Sequence, residues 1–362
     1  IDLNQLSFFS TGIACLFALT VAIQLGYYLI VFLRFARFNP SEQNLENNEP
    51  VSVIIAAHNE DFNLEKNMPF IFEQDYPNFE VVIVNHASTD DTHHVLNDFS
   101  RSHKNLKVVN IDEDLNFFKG KKFPLSIGIK SASHEILLLT DADCKPESNQ
   151  WIKQMVSNYD ANTEIILGYG PYSKGESFLN KIIRYDTFMI ALQYFSFAIC
   201  KLPYMGVGRN LSYRKSLFLR NKGFTSHYGI SSGDDDLFIM QASNKANTKI
   251  ELNSSSFMYS EPKPTFKSWI TQKQRHLSTG AAYPLLFKIL LGTYSISHLL
   301  LYISFIILIA NNVLVVPSII LFVIYLTIRF IIQKNALSKL GEGHLLLFSL
   351  FGDFIHIVLL SA

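Results

Sequence analysis

Three cysteines, Cys15, Cys144 and Cys200, are too few for a disulfide framework in 362 residues, which agrees with a reducing compartment. Charge is scarce as well. Asp, Glu, Lys and Arg make up 17% of the chain, and 31 basic side chains are balanced by 31 acidic ones. The balance leaves no global positive field, and so no nucleic-acid partner is expected. Neither an internal repeat nor a low-complexity tract interrupts the pattern.

Hydrophobic residues are abundant, at 48%, and unevenly placed. Residues 6–32 carry no charge and are long enough for a bilayer, which takes about 20 residues. The length of this run, and the lack of a small-residue cleavage pattern before Arg34, set it apart from a signal peptide. Residues 294–332 are apolar apart from Asn311, Asn312 and Arg329. That is too long for one span, and Asn311-Asn312 reads as a turn between two. Residues 345–360 form a fourth, shorter candidate. There Asp353 and His356 share a helix face at i, i+3, either as an intramembrane functional pair or as a polar lock between helices. Arg34 and Arg37 follow the first segment; Lys267, Lys273, Arg275 and Lys288 precede the second; Lys334 and Lys339 lie before the fourth. The Asn311-Asn312 turn has no basic residue. The positive-inside rule then predicts a cytoplasmic location for residues 33–290 and 333–343. The expected organisation is a transmembrane helix at 1–35, a polar linker at 36–50, a cytoplasmic domain at 51–280 and a membrane region of about three helices at 281–362. Phe188–Cys200, apolar and aromatic, reads as core or an interfacial helix inside the cytoplasmic domain.

Within 51–280, strand and helix patterns alternate. Val51–Ala57 is a continuous, largely β-branched run, as expected of a strand buried on both faces. Leu64–Glu73 fits a helix, Glu80–Val84 a strand, and Ser88 or Thr89 can cap a helix running through Phe99. Leu106–Val109, Pro124–Ser131 and Ile136–Thr140 continue as strand, helix and strand. The fold class is therefore α/β, with a mostly parallel sheet covered on both faces. Ligands of such sheets bind at the carboxyl ends of the strands. His58-Asn59-Glu60, Asn85-His86 and Asp141/Asp143 all fall there. Asp141 and Asp143, spaced i, i+2 at a strand exit, project the same way and offer hard oxygen ligands suited to one Mg²⁺ or Mn²⁺.

The motifs VSVIIAAHNE (51–60), VVIVNHASTDDT (81–92), GKKFPLSIGIKSASHEILLLTDADC (120–144), GVGRNLSYRKSLF (206–218), GDDDLF (233–238) and QKQRH (272–276) occur in that order. Together they resemble a membrane-anchored family 2 glycosyltransferase of the GT-A fold, akin to polysaccharide synthases. The resemblance covers roughly residues 50–280. It implies a nucleotide-sugar donor, with a UDP-sugar as the expected class, a lipid-linked or polysaccharide acceptor, contact with membrane lipids, and a place in a bacterial inner membrane. It implies nucleotide contacts from Asn59, Glu60, Asn85, Lys121 (or Lys122) and Asp141, with Asp143 and Asp141 on the metal. It also implies Asp235 as the base that deprotonates the acceptor, with Asp234 or Asp236 beside it, and Gln272 and Arg275 facing the diphosphate. Three adjacent carboxylates repel, which raises the pKa of at least one and suits a general base. Two departures stand out. Asn85-His86 replaces the family's acidic pair, and His276 replaces the Trp of QxxRW, which weakens the case for a processive polymerase. His276 is expected to titrate near neutrality.

Overall fold

The computed structural model describes residues 8–40, 44–112 and 120–361, with side chains described to residue 355. Residues 6 and 7 of the first apolar segment and the His356 side chain lie outside the described set. The chain divides into two compact units, one of residues 39–187 and 197–283, the other of residues 8–38, 188–196 and 284–361.

The first unit is built on a seven-stranded mixed sheet. In chain order the strands are β1 (Val51–Ala57), β2 (Phe79–His86), β3 (Leu106–Ile111), β4 (Ile136–Leu139), β5 (Cys144–Pro146), β6 (Ile165–Leu167), β7 (Leu211–Arg214), β8 (Thr248–Ile250) and β9 (Met258–Ser260). The main sheet runs β3-β2-β1-β4-β7-β6-β8, and β5 pairs with β9 in a small second sheet. β1, β2, β3 and β4 are parallel neighbours, with Val51 opposite both Phe79 and Ile136. The side chains of β1, β2 and β4 are mostly buried, as a parallel sheet with helices on its faces requires, whereas those of the edge strand β3 stay partly exposed. One face packs on Leu64, Met68 and Ile71 of the helix Asp61–Phe72, with Trp151, Ile152 and Met155 beside them. On the other face, Gly128 lies so close to the sheet that a Cβ there would meet Ile54 at 2.9 Å and Val84 at 3.0 Å.

β7 is antiparallel to β4, with Leu211 opposite Leu139. An antiparallel strand begins where its parallel neighbour ends. The residues entering β7, 206–210, are therefore delivered to the carboxyl edge, next to the residues leaving β4. The sequence patterns give no warning of this reversal. The expected helix from Ser88 or Thr89 instead starts at Thr92, with Asp91 before it. Ser88 and Thr89 are used elsewhere, as described below. The polar stretch before β1 is fastened to this unit: Asn44 donates its backbone N–H to the Ser157 carbonyl (3.1 Å), and Tyr76 hydroxyl donates to the Glu49 carbonyl (2.6 Å).

The second unit holds three helices long and apolar enough to cross a membrane among the described residues: 8–37, Leu285–Ala310 and Val315–Lys339. The fourth apolar segment forms the helix Ser349–Ser361, whose 13 residues rise about 20 Å, short of a hydrocarbon core of about 30 Å. Residues 188–196, the middle of the long helix Phe178–Ile199, group with these helices rather than with the sheet, and Phe195 stacks on Phe35 at 5.6 Å. Asp353 is fully buried. Its Oδ2 lies 2.9 Å from Arg329 Nε and 3.0 Å from His298 Nε2, while Tyr325 hydroxyl is 3.0 Å from the same imidazole nitrogen. The polar partners of Asp353 thus come from two other helices. This arrangement fits a lock between helices, because a charge buried in apolar surroundings is tolerated only when paired.

Candidate active site

The sheet places the sequence-predicted residues at one edge, and each is held for a visible reason. β1 leads into His58-Asn59. Asn59 takes a left-handed φ of +56°, its amide N–H donates to Ser88 Oγ (3.0 Å), and its Oδ1 accepts from the Thr89 amide (2.8 Å). This ties the loop after β1 to the loop after β2 and gives the Asn59 oxygen an internal partner. Glu60 is anchored by its amide to Thr92 Oγ1 (2.9 Å), and its carboxylate accepts from Asn63 (2.6 Å). Burial raises the Glu60 carboxyl, Asn63 partly offsets this, and the charge of Asp143 adds to it. Asn85 donates through Nδ2 to Asn110 Oδ1 (3.1 Å), and its buried Oδ1 has no partner among the described residues.

Asp141 and Asp143 leave β4 as expected. Lys121 Nζ sits 2.7 Å from Asp141 Oδ1. Burial alone would raise the Asp141 carboxyl, but Lys121, then Arg209 and Arg275, hold it below its ordinary value. Lys122 takes no part in this. It is buried, and its Nζ donates to the carbonyls of His227 (2.7 Å) and Ile230 (2.9 Å). Gly120 makes the approach feasible: at φ +86° a Cβ there would lie 2.1 Å from Ser231 O. The pair Lys121-Lys122 is therefore divided, one cation for the aspartate and one for the loop that leads into Asp234.

Ligand atoms of Asp141, Asp143 and Cys144 lie within 4.8 Å of one another, and Cys144 Sγ is 3.4 Å from Asp143 Oδ1. Burial, followed by the charges of Asp141 and Asp143, pushes the Cys144 thiol well above its ordinary value. It stays protonated at neutral pH, which leaves two hard carboxylates as donors. That donor set fits Mg²⁺ or Mn²⁺ rather than a soft metal.

The three aspartates of 234–236 are not equivalent. Asp236 Oδ2 accepts from Thr279 Oγ1 and Tyr283 hydroxyl, both at 2.6 Å, and its Oδ1 accepts from the Leu237 amide. Both of its oxygens are occupied. Asp235 accepts from the Asp236 amide (2.8 Å) and from the Gly208 amide (3.0 Å). Burial first, and then the charges of Asp234 and Asp236, raise the Asp235 carboxyl to about 8. Asp234 is raised as well, by burial against the pull of Lys121 and with the charge of Asp141 adding to it. Lys121 therefore faces both acidic clusters.

This gives a pH prediction. A carboxylate base works only when deprotonated, so below about 8 the competent fraction falls about tenfold per unit. Turnover per unit of donor should rise with pH and level off above about 8, and the slope should vanish in Asp235→Asn. A flat profile from pH 6 to 9 would remove Asp235 from the rate. The folded state also keeps this proton above the unfolded carboxyl value of about 4. The same group therefore makes the nucleotide-free fold less stable as pH rises from about 4 to about 8.

Gln272 and Arg275 lie on the helix Phe266–Leu277, which opens with Thr265 and Ser268 bonding each other's backbone amides. Gln272 Nε2 reaches Tyr172 hydroxyl at 3.3 Å, and Arg275 is exposed but bears on Asp141. A buried ion pair fixes this helix: Lys273 Nζ lies 2.9 and 2.8 Å from the two oxygens of Asp186. Desolvation and the charges of Arg275, Lys273 and Arg209 push the His276 imidazole down to about 4, although part of its surface stays open to solvent. The near-neutral titration expected of His276 as an ordinary imidazole does not hold. Tyr172 and Arg209 were not singled out by the sequence. Arg209 joins the site because β7 runs antiparallel, and Tyr172 because the chain after β6 is bridged to Ser260.

An α/β unit with acidic clusters at the carboxyl edge of a mostly parallel sheet has the GT-A architecture of enzymes that use nucleotide sugars. The described family "Glycosyl transferase family 2" matches residues 52–220, and "Glycosyl transferase family group 2" matches residues 147–359. The chain belongs to glycosyltransferase family 2. It is 32% identical over 120 residues to the glycosyltransferase AglE of Haloferax volcanii, covering 33% of this chain and 38% of that one. It is 34% identical over 95 residues to a poly-β-1,6-N-acetyl-D-glucosamine synthase of Staphylococcus epidermidis, covering 26% and 22%. These matches span well under half of either relative. A mannosyltransferase from Pyrobaculum calidifontis, solved with GDP-Man and Mn²⁺, shares the fold with a TM-score of 0.59 at 18% identity, covering 96% of this chain and 98% of that one.

Proposed function

We propose that this glycosyltransferase moves a sugar, with inversion, from a nucleotide sugar to a membrane-associated acceptor. The observation that carries the reading is the pairing of two unlike acidic clusters at one sheet edge. Asp141 is held ionised against Lys121, while burial and the charges of Asp234 and Asp236 raise the pKa of Asp235 to about 8 against two amide donors. Carboxylates driven apart in this way suit ligand binding in one case and proton transfer in the other.

In the proposed step Asp235 takes the proton of the acceptor hydroxyl. The acceptor oxygen bonds the anomeric carbon from the face opposite the diphosphate, and the nucleoside diphosphate leaves with the bonding electrons. Asp143 and Asp141 would hold a divalent cation, whose contribution is to neutralise diphosphate charge. The mannosyltransferase neighbour, solved with Mn²⁺, supports that choice of cofactor. Asp234 sets the field around the base. Asp236, fastened to Thr279 and Tyr283, positions the turn. Asn85 and Glu60 line the nucleotide side, with Asn59 shaping their loop. Gln272 and Arg275 face the leaving group. UDP- and GDP-sugars are the donors to try first, since Asn85-His86 lacks the acidic pair of the family.

The three long apolar helices support an integral membrane protein, with lipid contact and a lipid-linked or polysaccharide acceptor. The basic residues flanking them support a cytoplasmic catalytic unit, as in a bacterial inner membrane. Lys273 adds nothing to that bias, because Asp186 neutralises it. A neutral His276 in place of an aromatic platform favours transfer of one or a few sugars. The relative named a synthase keeps processive polymerisation as the second reading. Purified protein given labelled donor sugars and membrane lipids should yield lipid-extractable products of low mass. A high-mass polymer made without added lipid acceptor would favour the synthase.

A further inference from the structure

Arg209 is a loop arginine that the turn into β7 carries to the edge where β4 ends. Its guanidinium carbon lies 4.4 Å over the Tyr172 ring, and Nη1 donates to Ser260 Oγ at 3.3 Å, a long bond. Its Nε is buried and has no acceptor among the described residues. The stem has a made-to-measure channel: a Cβ on Gly170 would meet Arg209 Nε at 2.4 Å and Cγ at 2.7 Å. Tyr172 is itself buried, is bridged to Ser260 in the backbone, and is held at its hydroxyl by Gln272. A guanidinium fixed on an aromatic face in this way loses little entropy on binding and presents a planar fork suited to oxyanions.

The charges around it ask for an anion. Lys121, Arg209 and Arg275 all bear on Asp141, so three cations surround the carboxylates of Asp141 and Asp143. A divalent cation on those two carboxylates cancels their charge, and three positive charges remain. A sugar nucleotide carries about two negative charges on its diphosphate. The departing nucleoside diphosphate carries about three near neutral pH, because its new terminal phosphate ionises with a pKa near 6. Arg209 also directly follows Gly208, whose amide holds Asp235, and its charge bears on Asp141.

We propose that Arg209, stacked on Tyr172, binds an oxyanion of the donor's diphosphate and so takes up charge on the leaving group. The assignment rests on the glycosyltransferase reading of the site and adds to it a residue outside the QxxRH motif. In the reaction Arg209 neither gains nor loses a proton. It meets the charge that appears as the bond from the anomeric carbon to phosphate breaks, where electrostatic stabilisation is most effective.

Calorimetry on the full-length protein in detergent, with Mn²⁺ present, tests this with UDP and GDP against UMP and GMP. Arg209→Ala should weaken the better-bound diphosphate by about 10–100-fold, the range for a hydrogen bond to a charged group, and change the monophosphate by less than about threefold. Arg209→Lys should recover part of the loss, since it restores the charge without the fork. Tyr172→Leu should reproduce much of the defect, and Tyr172→Phe, which keeps the ring, should not. Unchanged diphosphate affinity in Arg209→Ala, or equal weakening of mono- and diphosphate, would overturn the assignment. If the native protein bound neither diphosphate, the glycosyltransferase reading itself would fall, and the assignment with it.

Discussion

Asp235→Asn should bind metal and nucleotide as the native protein does and turn over about 10²–10⁴-fold more slowly, the range for a lost general base. The substitution keeps the shape of the side chain but only one of its two acceptor oxygens, so either the Gly208 amide on Oδ2 or the Asp236 amide on Oδ1 loses its partner. Below about pH 8 the native Asp235 is itself largely protonated, so no charge is relieved there, and the lost acceptor should lower the unfolding temperature modestly at neutral pH. Asp236 cannot take over the role, because Thr279, Tyr283 and the Leu237 amide occupy its carboxylate. Near-normal turnover in Asp235→Asn would move the base to Asp234.

Asp143→Asn should lose Mn²⁺-supported nucleotide binding altogether while the protein stays folded. Among the described residues, the hydrogen bond found for the Asp143 side chain is the 3.4 Å contact from Cys144, so little packing depends on its charge. Replacing an anionic oxygen by an amide removes half of the hard donor set, while Lys121 keeps its partner Asp141. Calorimetry should show no Mn²⁺-dependent heat with nucleoside diphosphate, against clear binding by the native protein. Equal binding by both would remove the metal from these aspartates.

The first four strands and the aspartate pair were legible because long β-branched runs and the exit of a buried strand leave a strong local trace. β1 occupies the predicted Val51–Ala57, and β4 stops one residue short of the predicted Thr140. Beyond Cys144 the strands are three or four residues long, too short for any period to declare itself, and their pairing is set by contacts distant in sequence. The helix after β2 was expected about three residues early. Ser88 and Thr89 do have capping chemistry, but they spend it on Asn59 across the sheet edge. Arg209 and Tyr172 were illegible for a related reason. A loop arginine reads as surface charge until an antiparallel strand and Gly170 give its stem a buried channel. Lys121 and Lys122 are adjacent and chemically alike, and only the path of the 227–231 loop separates a ligand-facing cation from a structural one. Asp353 was read with its neighbour in sequence, yet its partners Arg329 and His298 come from helices that only the tertiary packing brings to it.

The central claim is cation-dependent transfer of sugar from a nucleotide donor, driven by these two acidic clusters. The most direct measurement is release of nucleoside diphosphate, together with sugar incorporation, by the purified full-length protein in lipid vesicles supplied with UDP- and GDP-sugars, with Mn²⁺ or with a chelator. The account predicts that at least one donor is consumed with matching incorporation of sugar, only when the cation is present, and that Asp143→Asn and Asp235→Asn each abolish or nearly abolish it. Incorporation that proceeds equally with chelator and in both variants would contradict it.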